Sequence, residues 1–213
     1  MIVENPKTIT EDELRNRAKE AKGRIRKIYL HWTTGHYGEV DDAYHLCIDR
    51  DGQVFVNCKN LSAVKAHTWL RNQNTVAIAL CCCAGAACWI PGSCNAEKVD
   101  GAYAECRSAH PKCALVDFGP EPPTTMQIDM MANVVAVLAD ELGLAIGKDT
   151  VMTHCEIAFK DGYGPGEDDP AMSWDLWFLP DSLRPGEVVP GGDLLRKKAK
   201  SCQRKMQRGT GAV

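Results

Sequence analysis

The stretch that most narrows the fold is Thr75-Val76-Ala77-Ile78-Ala79-Leu80, six residues with no charge and no alternation of polar with apolar side chains. A strand wetted on one face alternates, whereas one buried on both faces reads as a continuous apolar run. This run therefore predicts a central strand with material packed above and below it. Ile28-Tyr29-Leu30-His31-Trp32-Thr33 and Thr150-Val151-Met152-Thr153-His154 are further apolar runs with a histidine at or near the end, and each reads as a strand. Residues 43–49 and 54–57 flank Arg50-Asp51-Gly52-Gln53, and an Asp-Gly pair between apolar runs predicts a β-hairpin. In that hairpin Tyr44, Leu46 and Ile48 are expected on one face, with His45, Cys47 and Asp49 on the other.

Two helices complete the frame. Thr10-Glu11-Asp12-Glu13 has the form of a capping box with acids in the first turn, and Gly23 offers a stop, so a polar surface helix is expected over 11–22. Thr124-Thr125-Met126-Gln127 repeats the capping pattern. Ile128, Met131, Val135, Leu138 and Leu142 then recur at three- and four-residue steps before Gly143, a stripe suited to packing on a sheet. Strands mixed with helices in this order predict an α/β fold, a mixed central β-sheet flanked by helices.

A chain of 213 residues with 45% hydrophobic and 25% charged side chains suits one folded domain. No window approaches the roughly 18 consecutive apolar residues of a membrane span. Met1-Ile2-Val3-Glu4-Asn5-Pro6 lacks the layout of a signal peptide, so cytoplasmic synthesis is expected. There are 11 cysteines, most of them between Cys81 and Cys113. In that setting reduced thiols or a metal site are favoured over a disulfide framework. Cys81-Cys82-Cys83 continues the buried strand, where thiols act as small hydrophobes. Periodicity is lost over 81–118, an irregular Cys-rich insertion. Within it Cys88, Cys94, Cys106 and Cys113 leave three states open: two disulfides, a second metal site, or free thiols.

Net charge is −3, but 193–208 carries seven basic residues against Asp193 alone, so this segment is +6 and the rest −9. It begins like an N-capped helix. Its cations form either a solvated face or a weak electrostatic attachment to an anionic wall or membrane. No aromatic residues interleave them, which argues against nucleic acid as a partner.

His31, His154 and Asp175 are candidate ligands for zinc, which in catalytic sites takes three protein ligands and leaves a fourth position to water. A lone histidine at a strand end is more often structural, and no HExxH-type motif is present.

Four segments add to this: Tyr29-Leu30-His31-Trp32-Thr33, Tyr44-His45-Leu46-Cys47-Ile48-Asp49-Arg50-Asp51-Gly52, Ala66-His67 with Asn74-Thr75-Val76-Ala77-Ile78, and Thr153-His154-Cys155-Glu156-Ile157-Ala158. In order and content they resemble the motifs of the zinc-dependent N-acetylmuramoyl-L-alanine amidases, the family of T7 lysozyme-type phage endolysins, which shares its fold with peptidoglycan recognition proteins. The likeness spans roughly residues 24–180, and the segment from Gly162 to Pro180 is similar to prophage-encoded members. The resemblance implies His31, His154 and Asp175 as zinc ligands. It implies Tyr44 as the residue that orients or deprotonates the attacking water, and His67 as a histidine facing the substrate. Glu156, beside His154, is the third candidate catalytic residue, as a partner fixing an imidazole; a solvated acid or a helix cap is the plain alternative. Cys155 adjoins a ligand but, on a strand, would point to the opposite face.

Two positions depart from the family pattern. Ala77-Ile78-Ala79 stands where many members keep a glutamate, and Ser173 where many keep a lysine, which leaves the base and oxyanion roles to Tyr44, His67 or zinc. The expected organisation is an N-terminal helical segment over 1–23, a catalytic domain over 24–190 containing the insertion, and a basic C-terminal helix or tail over 191–213. The implied activity is zinc-dependent cleavage of the amide between N-acetylmuramic acid and L-alanine in peptidoglycan, by a phage or prophage endolysin reaching the wall after release. A recognition module that binds peptidoglycan without cleaving it is the alternative.

Overall fold

Thr75–Leu80 forms strand β5, and all six of its residues are buried. The computed structural model describes residues 1–89, 115–162 and 175–210. Within these residues β5 lies inside a six-stranded sheet with β1 (Lys7–Thr8), β2 (Lys27–Trp32), β3 (Leu46–Ile48), β4 (Val54–Val56) and β8 (Val151–Thr153), in the order β1-β4-β3-β5-β2-β8. The β3, β5, β2 and β8 neighbours run parallel, and the β1–β4 and β4–β3 pairs antiparallel. The sheet is thus mixed, as the alternation of strands and helices predicted.

Side-chain alternation divides the two faces. Ile28, Leu30 and Trp32 of β2 join Val76, Ile78 and Leu80 of β5 in the main core, beneath α1 (Glu11–Ala21), α2 (Thr125–Leu142) and α4 (Gly191–Thr210). Tyr29 and His31 point the other way, toward α3 (His154–Asp161). On that second face β5 presents Thr75, Ala77 and Ala79, and Ala79 pairs in register with His31. Small side chains there leave room for imidazole rings. The small residue that departs from the family pattern at 79 is part of the floor beneath His31.

The hairpin forms where expected. Gly52, at φ +84°, makes the turn, with its N–H donating to the Asp49 carbonyl and the Asp49 N–H to Gln53. The expected facing of Tyr44 does not hold. Residues 42–45 precede the strand as turn and bend, so the period of two begins only at Leu46, and Tyr44 packs beside Cys47 and Ala79 on the His31 face.

Helix α2 carries the predicted capping box, with Thr124 and Gln127 satisfying each other's backbone, and stops at Gly143 in the left-handed conformation. Helix α1 buries Leu14, Ala18 and Ala21 against α2 and leaves its charged sides to solvent. Residues 191–210 do not stand off as a tail: α4 lies along α2 and buries Leu195 and Ala199. It begins at Gly191, so Asp193 falls in its first turn and is not the cap.

Two short antiparallel ribbons lie outside the main sheet. Strands β9 (Phe178–Pro180) and β10 (Val188–Pro190) pair with each other. Strands β6 (Ala87–Trp89) and β7 (Leu115–Asp117) also pair, giving the Cys-rich segment a regular base that the sequence did not suggest. The side chain of Cys88, all of Cys94, Cys106 and Cys113, and most of the loop from Gly162 to Trp174 lie outside the described residues. Cys47, Cys58, Cys81, Cys82, Cys83 and Cys202 are free thiols.

Candidate metal centre

Three elements converge at the β2–β8 edge of the sheet. Parallel strands place their C-terminal ends together, and there β2 supplies His31. The second histidine does not sit on a strand. Thr153 ends β8 and at the same time caps α3, so His154 is the first residue of that helix. The third element is the chain entering β9, where residues 175–179 are buried one after another.

His31 is fully buried, Asp175 is 4% exposed and His154 9%. His31 Nδ1 lies 3.0 Å from Asp175 Oδ2, and His154 Nδ1 lies 2.8 Å from Oδ1. Apart from that contact Oδ1 is buried with no hydrogen-bond partner. One potential ligand atom from each of the three side chains falls within 4.8 Å of the others. Two imidazoles and a carboxylate form the donor set that divalent zinc favours, and a carboxylate oxygen left without a hydrogen bond suits a cation there. The residues present therefore fit such an ion.

The electrostatics point the same way. Burial holds the His31 pKa below its ordinary value, so the ring is neutral and its lone pair is free to ligate. Burial opposes the charge on His154 as well, but Asp175 outweighs it and raises that pKa. Asp175 would be pushed up by burial, yet the two histidines draw it down to about 2, so it is an anion at neutral pH.

Two further candidates come to the same place. The Tyr44 ring centroid is 5.0 Å from that of His31, and its hydroxyl donates to the Trp32 carbonyl at 3.4 Å. Burial and the Asp175 charge push its phenol well above the ordinary value, so it keeps its proton. The His67 ring lies 5.5 Å from that of His31. It is 7% exposed, and both its nitrogens are engaged, Nδ1 with Thr68 Oγ1 and Nε2 with Thr75 Oγ1. It is thus a braced interior residue rather than one facing a cleft, and burial lowers its pKa to about 2.

Glu156 is not brought in. Its carboxylate accepts the Thr153 N–H in the helix cap and both terminal nitrogens of Arg196 at 2.7 Å. The plain alternative, a helix cap, describes it. Cys155, in the second position of α3, is buried in the main core; helical geometry, not strand alternation, turns it there. His45 is a fully buried structural residue, its Nε2 bonded to the Ala63 carbonyl and its Nδ1 accepting the Ala77 N–H.

Sequence reasoning missed Thr68, Thr75 and Arg196. Only the adjacency of Thr68 to His67 hinted at the first.

A family described as N-acetylmuramoyl-L-alanine amidase matches residues 21–171, a span that holds His31, Tyr44, His67 and His154 and stops four residues short of Asp175. No curated protein and no solved structure matches the chain.

Proposed function

The chain belongs to the N-acetylmuramoyl-L-alanine amidase family, and from that membership we propose that it hydrolyses the amide between the lactyl group of N-acetylmuramic acid and L-alanine, with zinc held by His31, His154 and Asp175. The observation that carries the metal reading is the buried two-histidine, one-carboxylate cluster, the one group of this kind among the described residues. Asp175 lies beyond the family match, so its part in the proposal rests on geometry and on the resemblance of the segment that contains it.

Amide hydrolysis needs a nucleophilic water and a stabilised oxyanion, and bound zinc supplies both a lowered water pKa and a Lewis acid. The chain's own groups do the rest. Asp175 and the neutral His31 fix the site's charge and exclude competing protons. Tyr44, protonated and packed on His31, offers a hydroxyl that orients the water or the scissile carbonyl. His67, with both nitrogens engaged, holds position and does not exchange protons with substrate. Ala79 provides no carboxylate base, which leaves Tyr44 as the nearest candidate of the chain for assisting proton transfer.

The resemblance of the four motifs to a family that includes phage endolysins, and of the segment from Gly162 to Pro180 to prophage-encoded members, supports an endolysin acting on the wall after release from the cell. Exposed cations on α4 support weak electrostatic association with that wall.

The test is digestion of purified bacterial sacculi with and without a chelator. New L-alanine N-termini are expected from the metal-loaded protein and not from the chelated one. Binding to sacculi with no release under any metal loading would favour the recognition module. Full activity in His31→Ala would remove the site.

A further inference from the structure

The cluster ends in a chain of side chains that no catalytic role accounts for. Thr68 Oγ1 lies 3.4 Å from His31 Nε2 and 2.9 Å from His67 Nδ1. The other nitrogen of His67, Nε2, lies 3.2 Å from Thr75 Oγ1. That hydroxyl reaches the Asn72 carbonyl at 3.0 Å and the Arg71 carbonyl at 3.3 Å. Thr68, Thr75 and His67 are all buried, so water cannot replace these partners at no cost.

Counting donors fixes the direction of the chain. A carbonyl only accepts, so the single proton of Thr75 goes to the Asn72 or Arg71 oxygen. Thr75 Oγ1 then accepts from His67 Nε2–H, which leaves His67 Nδ1 to accept the proton of Thr68. Thr68 Oγ1 in turn accepts from His31 Nε2–H. His31 is left as the Nε2–H tautomer, with a bare lone pair on Nδ1 facing Asp175 Oδ2 at 3.0 Å. Two lone pairs at that distance repel unless a cation stands beside them. The opposite direction would take the Thr75 proton away from both backbone carbonyls.

We propose that Thr75, His67 and Thr68 form a proton-ordered relay that fixes the tautomer of His31 and so presents its Nδ1 to the metal. The inference rests on the metal reading above and gives His67 a positioning role in place of a substrate-facing one. The loop is held for this purpose at both ends. Asn72 Oδ1 accepts the backbone N–H groups of His67 and Thr68, and Arg71 pairs with Asp161, the last residue of the helix that His154 begins.

The experiment measures zinc affinity by chelator competition in wild type, Thr68→Val, Thr68→Ser, Thr75→Val and Thr75→Ser, together with the tautomer of His31 from ring nitrogen-15 shifts in the zinc-loaded protein. Each valine variant is expected to weaken zinc about 10- to 100-fold. Each serine variant, which keeps the hydroxyl, is expected to stay within about threefold, and wild-type His31 is expected as the Nε2–H form. Thermal melting of the apo forms tells a weakened site from an unfolded chain. Valine variants that bind zinc as tightly as wild type, serine variants that lose as much as valine, or wild-type His31 protonated on Nδ1 would each overturn the relay. Absence of zinc binding in the wild type itself would instead overturn the metal reading beneath it.

Discussion

His45 shows how much one proton can matter in this interior. Its Nδ1 accepts the Ala77 N–H, so protonating it would set two donors against each other inside the sheet. Burial accordingly lowers its pKa to about 4, against about 6.5 for a free histidine. The folded form then binds fewer protons than the unfolded one between those values. The stability contributed is complete above pH 6.5 and is lost as pH falls toward 4, a loss of about 3 kcal/mol in all. His67 acts with the same sign and extends the loss to lower pH. We expect urea unfolding of wild type to weaken steeply from pH 7 to 4.5, and His45→Gln to be weaker at pH 7 but to show a slope smaller by about 2 kcal/mol over that interval. An unchanged slope in the variant would place the titration elsewhere. Neither this role nor the relay was legible in the sequence. Thr68 and Thr75 are seven residues apart, and a hydroxyl gains meaning only from the carbonyl or imidazole that folding sets beside it. His31 and His154 stood out because each closes an apolar run, but it was the resemblance that made them and Asp175 candidate ligands together.

At the scale of elements, the site depends on how α4 begins. A Cβ on Gly191 would stand 2.2 Å from the Leu176 carbonyl oxygen, and one on Gly192 would stand 2.5 Å from the Glu156 carboxylate. Gly191 also donates its N–H to Trp177 at 2.9 Å. The first turn of α4 is thus pressed against the segment that carries Asp175, and Leu176 there is held at φ +57°, a strained value for a residue with a Cβ. Because the obstacle at Gly191 is backbone rather than a flexible side chain, Gly191→Ala is expected to displace 175–177. The cost should be about 1 to 3 kcal/mol by thermal melting, with weaker zinc binding. A melting temperature and zinc affinity equal to wild type would show that the segment yields freely. Sequence reasoning assigned nothing to Gly191 and Gly192, since close approach is a relation between distant segments. It marked the end of β8 as a strand running through His154, because Thr153 serves two elements at once. The α2 capping box and the Asp-Gly hairpin, in contrast, are local devices and were readable, whereas at α1 Thr10 caps Glu13 N–H without the reciprocal half of the box.

For the whole molecule the question is where an acidic chain keeps its positive charge. Lys198 is paired with Asp129 and Arg196 with Glu156 and Asp193, so those cations serve packing. Lys197, Lys200 and Arg204 form no ion pair among the described residues. With Gly147, Lys148, Asp193 and Arg196 they line a groove of about 330 Å³ between α4 and the turn before β8. The single acid in that lining, Asp193, is already neutralised by Arg196 at 2.7 Å and Lys148 at 3.5 Å. The groove lies at the opposite end of β8 from His154. A concave site admits one polymer chain more readily than a flat bilayer, and with no aromatic lining it offers no stacking platform for bases. The weak wall association proposed above would use this groove through one anionic chain, and a polyol-phosphate polymer is a probe of that shape and charge. Replacing Lys197, Lys200 and Arg204 together with glutamine should weaken binding to a soluble poly(glycerol phosphate) chain at least tenfold and flatten its dependence on log salt by about 2. The same number of charges removed at exposed sites away from the groove, Lys7, Arg50 and Lys59, should change binding less than threefold. If both triple variants lose affinity equally, the attraction belongs to net charge and not to the groove, and α4 is then a packing element whose cations are merely solvated.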